Sequence, residues 1–294
     1  MVSKWFRGKK AGRLFLAPTV VTLLTLTLFP FIFCLILTFG RVSLAPFEIS
    51  FAGFRNWARL FDDYRFWTAI NNTLFIVGLA VCVEYLIGLV LAVVLNQNIK
   101  GAGVLRNLFT IPMILAPIAI GYIWWMIYGY DYGPFNHLLV KLGIGRIGWL
   151  TDRDVAIFSI ILSDIWQWTP LMLLILFAGL QGVPLELEEA ALIDGASQWQ
   201  VFWYVTFPML APASIAAIVL RTIEAFQIIA KPFVMTGGGP GTSTETLTLL
   251  AYKIGLKGFD LPYGATIAFS LFLLVLAFSM FFILGTRRFI TRLV

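Results

Sequence analysis

The chain has 294 residues, 60% of them hydrophobic and only 12% charged, against roughly 25% charged in soluble domains. With a mean hydropathy of +0.91, it has too little polar surface to stay dissolved, which excludes a soluble domain and points to an integral membrane protein. The net charge of +6 is read as Lys and Arg placed beside membrane ends, not as a nucleic-acid footprint.

The basic start, MVSKWFRGKKAGR, precedes an apolar stretch from Leu14 to Phe39. That stretch is too long for the apolar region of a signal peptide, and no small-residue cleavage site closes it. It reads as a retained first span. The other expected spans are Ala69–Leu95, Leu105–Tyr128, Val155–Leu180, Pro208–Ala230 and Pro262–Leu284. Each exceeds the roughly 20 residues that cross the hydrocarbon core. Pro18, Pro30, Pro112, Pro117 and Pro170 fall inside spans, where proline kinks a helix whose neighbours re-satisfy the freed carbonyl. The fold expected is all-α: one polytopic domain over residues 14–286, with tails at 1–13 and 287–294.

Six spans put both termini on one side. The two tails, with Lys100 and Arg106, hold ten Lys or Arg, and the opposite connections also hold ten. Charges nearest the span ends weigh most. The first span follows five basic residues and no acid, and the last is followed by Arg287 and Arg288, so both termini are placed in the cytoplasm. Gly40–Thr68, Gly129–Asp154 and Lys231–Leu261 then face outward. Asn96–Val104 and Gln181–Phe207 face inward.

The material for enzyme chemistry is thin. Cys34 and Cys82 lie in apolar runs and predict no disulfide framework. His137 is the one histidine, so neither a histidine-based zinc site nor a Ser/His triad is expected. No GxxxxGK[ST] phosphate loop occurs, and TGGGPG at Thr236–Gly241 lacks the lysine. No catalytic residue and no metal ligand is assigned.

The inward connection 181–207 holds four acids and no basic residue. Pro184 suits a first helical position, and Glu186, Glu188 and Glu189 suit the first turns of a helix. Gly195 suits the left-handed residue that ends it. Ser197 is a plausible cap for a second short helix, Gln198–Val205. The prediction is a helix–turn–helix outside the lipid. Interfacial helices carry Lys and Arg on their polar face; without them, this segment reads as a protein-docking element.

Four ionisable residues lie inside apolar runs: Glu84, Asp164, Arg221 and Glu224. At a helix centre such residues cost about 2.5–3.5 kcal/mol and turn to the bundle interior or to water. Arg221 and Glu224 share a face, either as a structural ion pair or as pore-lining groups. Asp164, Gln167 and Trp168 also share a face. Carboxylate, amide and aromatic ring together suit sugar; the alternative is a helix–helix hydrogen bond for Asp164 and an aromatic packing layer for the tryptophans.

EAALIDGA at Glu189–Ala196, followed by Phe207–Pro208, resembles the EAA loop of permease subunits of bacterial ATP-binding-cassette importers. FAGFRNWARLFDDYRFWTAINNTL from Phe51, WLTD at Trp149–Asp152, WQWTP at Trp166–Pro170, RTIEAF at Arg221–Phe226 and TGGGPGTSTETL from Thr236 are similar to the carbohydrate-uptake branch of that family. The resemblance implies a type I importer in a bacterial or archaeal cell membrane. In it a second, different permease completes the pore, two ATPase subunits bind ATP and magnesium, and an extracellular solute-binding protein delivers solute. This chain then needs no cofactor and is not itself an enzyme.

The resemblance makes Glu189, Ala190, Ala191, Asp194, Gly195 and Pro208 the ATPase-coupling residues. It makes Asp164, Gln167, Trp168, Arg221, Glu224 and Gln227 candidates for the solute path, and Gly237, Gly238, Gly239 and Pro240 a contact for the binding protein. One departure stands out. The family often has Phe-Asp near the end of the fifth span, where this chain has Ile229–Ala230 followed by Lys231 and Pro232. The solute is therefore left among sugars, oligosaccharides, polyols and glycerol-phosphate-type compounds. A self-sufficient secondary transporter is the alternative, but it commonly has more spans and internal symmetry.

Overall fold

The computed structural model describes residues 9–44, 47–97 and 100–290; Lys4, Arg7 and Arg292 of the two expected tails lie outside them. In chain order, α1 (Lys9–Thr38) leads into an antiparallel hairpin of β1 (Gly40–Leu44) and β2 (Phe47–Phe51), then α2 (Arg55–Asp62) and α3 (Tyr64–Asn96). Next come α4 (Ala102–Ile114), α5 (Pro117–Ile127), α6 (Pro134–Lys141) and α7 (Arg153–Leu180). The short α8 (Leu185–Ile193) and α9 (Gln198–Val201) follow, and a π-helical turn, Phe202–Thr206, joins α9 to α10 (Phe207–Ala225). The chain continues through α11 (Ala230–Met235), α12 (Leu247–Tyr252), a second π-helical turn at Lys253–Lys257, and α13 (Leu261–Ile290).

Among the described residues, five helices are long and apolar enough to cross a membrane, or six spans if the bent pair α4–α5 is one of them. α1 shows why lipid is required: Phe15, Leu26 and Phe29 are exposed along it, and its apolar residues cover every side. A helix apolar all round needs a hydrocarbon neighbour.

Three expectations are corrected. The third span, expected as one helix over Leu105–Tyr128, is broken at Leu115–Ala116 with a 96° bend. Ala116 precedes Pro117, and a residue before proline is pushed out of the helical region; its φ/ψ is −60°/134°. The connection between α1 and α2, expected without strands, holds the β1–β2 hairpin, with Gly40 opposite Phe51 and Leu44 opposite Phe47. The second short helix does not stop before the fifth span: α9 runs through the π-helical turn into α10. Pro208 cannot donate an i−4 bond, and a widened turn just before it accommodates that loss.

The described residues fall in two compact units. In the first, which runs to Asp63 and includes Ala251–Ser270, Asn56 Nδ2 donates to the carbonyls of Thr38 (3.0 Å) and Gly40 (2.9 Å). This satisfies a carbonyl that the end of α1 leaves open and ties the hairpin root to α2. Gly264 passes close to the backbone at Gly255: a Cβ on Gly264 would lie 2.7 Å from the Gly255 nitrogen.

The second unit, Tyr64–Leu250 with Leu271 onward, is built on α3 against α7 and α7 against α10. Small residues permit both approaches, as is usual between membrane helices. A Cβ on Gly88 would lie 2.6 Å from Met172 Cβ, and one on Gly179 would lie 2.5 Å from Ala213 Cβ. Ile76, Ile120, Trp124, Ile160 and Met235 form the apolar core beside these contacts.

Candidate functional site

Within the second unit the membrane helices enclose charges. Arg221 of α10 is buried and faces two acids from other helices. Its Nε donates to Glu84 Oε2 on α3 at 2.7 Å and its Nη2 to Glu84 Oε1 at 3.0 Å, a two-pronged pair. Nη2 also donates to Asp164 Oδ2 on α7. Asp164 Oδ1 in turn accepts from Lys231 Nζ of α11 at 2.5 Å. Two carboxylates and two cations thus cancel where lipid or packed side chains exclude water, the condition under which buried charge is tolerable.

Lys231 corrects the sequence expectation. Its place in the sequence puts it among the loop charges, yet it is 1% exposed and pinned to Asp164. A signal for it exists in the sequence: three acids inside apolar runs met one arginine, so a second buried cation was owed.

Glu224 is different. It lies 3.8 Å from Arg221 Nη1, but its side chain is 40% exposed. It lines a cavity of ≈ 190 Å³ together with Pro117, Trp168, Arg221, Gln227 and Lys231. The Trp168 ring lies 5.1 Å from the Arg221 guanidinium, a cation–π contact that turns one face of the ring to the network. The cavity sits at two helix breaks. Pro117 opens α5 after the 96° bend, and Gln227 lies in the Phe226–Ile229 interruption between α10 and α11.

Both breaks are chemically closed. Gln167 Nε2 donates to the Leu115 carbonyl at 3.0 Å. Thr246 Oγ1 donates to the Ile228 carbonyl at 2.9 Å, and Thr248 Oγ1 to that of Phe226 at 3.4 Å. Non-helical backbone at membrane depth persists where it is repaired in this way and lines a cavity. Of the six expected path residues, Asp164, Trp168, Arg221, Glu224 and Gln227 meet at the cavity. Gln167 does not: it is fully buried and engaged with the α4–α5 break.

The Gly-rich segment is a folded loop. Gly237, Gly238 and Gly241 have φ of 61°, 90° and 61°. Thr244 Oγ1 bridges Thr236 Oγ1 and the Gly239 carbonyl at 2.7 and 2.8 Å. Glu245 is held by Arg65 Nε at 2.6 Å and Nη2 at 2.8 Å, and Asn72 Nδ2 donates to the Thr242 carbonyl at 2.8 Å. Gly237 is exposed, Gly239 and Pro240 are half-buried and Gly238 is buried.

The α8–α9 hairpin is locally specified. α8 carries Glu186 and Glu188 in its first turn and ends at Gly195, whose φ is 88°. Ser197 and Gln200 cap α9 reciprocally: Gln200 Oε1 accepts from Ser197 N at 2.8 Å, and Ser197 Oγ accepts from Gln200 N. Thr206 Oγ1 donates to Glu188 Oε1 at 2.6 Å and binds α8 to the π-helical turn. Glu189, Ala190, Asp194 and Gly195 are exposed and Ala191 is half-buried. Ile193 and Trp199 project outward. Pro208 lies in the first turn of α10.

Residues 84–289 match the model of the family described as binding-protein-dependent transport system inner membrane component. The trehalose/maltose transport system permease protein MalF of Thermococcus litoralis is 37% identical over 279 residues, covering 95% of this chain and 94% of that one. The sulfoquinovosyl glycerol transport system permease protein SmoG of Agrobacterium fabrum is 35% identical, covering 89% of this chain and 85% of that one. A chain of the bacterial alginate ABC transporter, crystallised with an alginate pentasaccharide-bound periplasmic protein, superposes with a TM-score of 0.85 over 98% of this chain and 97% of that one, at 21% identity.

Proposed function

Since the chain belongs to the family of binding-protein-dependent transport system inner membrane components, we propose that it is the permease for a sugar or oligosaccharide, forming half of the conducting path. It is a transport subunit of an ABC importer and not itself an enzyme. Membership also removes the self-sufficient secondary transporter from consideration.

The observation that carries the solute assignment is the cavity at the two helix breaks. Trp168 offers an aromatic face, and Glu224 and Gln227 offer acceptors and donors for hydroxyls. Arg221 and Lys231 are already committed to carboxylates, so the site presents neutral-sugar chemistry rather than an anion trap. Relatives whose names specify trehalose/maltose and sulfoquinovosyl glycerol agree with a glycoside.

In the assembled transporter a second permease completes the path. Two ATPase subunits, which bind ATP and magnesium, sit on the side of α8 and α9, and a solute-binding protein delivers sugar at the opposite face. Both termini are cytoplasmic. α8 and α9 seat in the ATPase through Glu189, Ala190, Ala191, Asp194 and Gly195, and Pro208 passes the motion into α10. The loop at Gly237–Pro240 meets the binding protein.

Uptake of candidate sugars by proteoliposomes holding the full transporter and its binding protein tests the solute assignment. Trp168→Ala should lower transport of the cognate sugar by about tenfold, the worth of a strong aromatic contact. Unchanged uptake would place the sugar elsewhere, in the partner permease.

A further inference from the structure

The first unit contains a second polar cavity, of ≈ 430 Å³, formed by the hairpin root, α2 and the start of α13. Its wall carries Arg41, Arg55 and Arg59 against one carboxylate, Asp260. Arg59 is occupied: its Nη1 lies 2.6 Å from Asp260 Oδ2, and its guanidinium lies 3.8 Å from the Tyr263 ring centre. Arg41 and Arg55 are exposed and have no ion pair among the described residues.

Two features of the wall favour an anion. Arg55 is the first residue of α2, whose first turn holds no acid and whose cap residue, Phe54, offers no side-chain bond. A cation at the positive end of a helix is repelled unless an anion sits between them. Phe259 has φ of 58°, a left-handed conformation that a bulky residue adopts only under constraint, and such strain concentrates at binding sites.

The position of the cavity selects the anion. Gly40 follows almost directly on the last residue of α1, and Pro262 is the second residue of α13, so the cavity opens where two apolar helices leave the lipid. Phe51, Phe54 and Phe259 stand exposed there. Exposed apolar rings at span ends suit the acyl side of the interface, and arginines beside them suit anionic headgroups.

We infer that this cavity binds the phosphate of an anionic phospholipid headgroup, with Arg41 and Arg55 as its ligands and the first N–H groups of α2 beside them. The site does not depend on which face of the membrane the cavity lies, nor on the solute.

Native mass spectrometry of the delipidated full chain in detergent, titrated with phosphatidylglycerol or phosphatidylcholine, tests it. Phosphatidylglycerol should bind the wild type more tightly than phosphatidylcholine. The double variant R41Q/R55Q should lose about tenfold or more of that affinity, each surface arginine being worth about fivefold, with phosphatidylcholine unchanged. K141Q/R153Q, which removes two exposed charges elsewhere, should match the wild type.

D260N guards against a merely misfolded variant. Removing the competing carboxylate frees Arg59, and phosphatidylglycerol should bind more tightly. Equal phosphatidylglycerol affinity in the wild type, R41Q/R55Q and D260N would overturn the site. Displacement of the lipid by millimolar inorganic phosphate would overturn the lipid as its occupant.

Discussion

Arg221 grips both carboxylate oxygens of Glu84, at 2.7 and 3.0 Å, from a helix 137 residues later in the chain. That pair joins α3 to α10, and through Asp164 and Lys231 it extends to α7 and α11. Assembly of the second unit is therefore written partly in charge. A bundle held only by apolar contact gains little in lipid, where tails are as apolar as side chains.

Arg221→Ala strands the buried Glu84 and leaves Asp164 with Lys231 alone. Breaking a buried pair costs about 3–5 kcal/mol, so thermal unfolding of the purified variant in detergent should show a large loss of stability, with reduced assembly with partner subunits. A wild-type melting midpoint would remove the network from the account of stability.

Asp164 and Lys231 should be strongly non-additive. D164N leaves Lys231 without its carboxylate, and K231M leaves Asp164 short of a cation. D164N/K231M restores neutrality and should be more stable than K231M alone, with a coupling of about 1–3 kcal/mol. Additive losses across this cycle, measured by unfolding in the same detergent, would mean the 2.5 Å contact carries no energy.

Gln167→Leu should loosen the broken span. It removes the donor at 3.0 Å from the Leu115 carbonyl, and leaving such a carbonyl unsatisfied costs about 1–3 kcal/mol. Hydrogen exchange should rise at the α4–α5 junction and stay unchanged in α13. Equal rise in both would indicate global destabilisation instead.

Asn56→Ala removes both bonds from Nδ2, to Thr38 and Gly40. Amide exchange should accelerate across β1 and β2 by about tenfold or more. Unaltered protection there would show that strand pairing alone holds the hairpin.

Much of this was legible in the sequence because it is local. Each span declares itself by twenty or so apolar residues. Gly195 and Ser197 announce their positions by backbone chemistry that needs no tertiary partner, and φ of 88° and a reciprocal cap are found there. The hairpin leaves only a faint signal: polar and apolar residues alternate through Arg41–Leu44 and again through Phe47–Phe51, a strand pattern short enough to be lost beside long helices.

What local pattern could not place was tertiary. The side of α7 that Gln167 serves is decided by where α4 breaks, and Lys231 is buried because Asp164 arrives from 67 residues away. Ile229 and Ala230 lie directly before that lysine, where the interruption passes into α11, and both line the cavity. Position along the sequence placed Lys231 in a loop; charge balance across four helices places it in the bundle.

Gly195→Asp should add a side chain and a charge to the exposed α8–α9 turn, at a left-handed position that glycine takes without steric cost. Glu189→Lys should reverse the sign of its exposed face. Both should leave the chain inserted while separating ATP hydrolysis from sugar uptake in proteoliposomes. Normal uptake by both would take the turn out of the coupling route.

The claim that this permease presents α8 and α9 to an ATP-hydrolysing partner is tested most directly by cross-linking. With Cys34 and Cys82 replaced by serine and a single cysteine introduced as A190C, the full transporter should form a cross-link to the ATPase subunit whose yield changes when ATP is added. Labelling of that cysteine by a membrane-impermeant reagent from outside intact cells, with no cross-link formed, would contradict it.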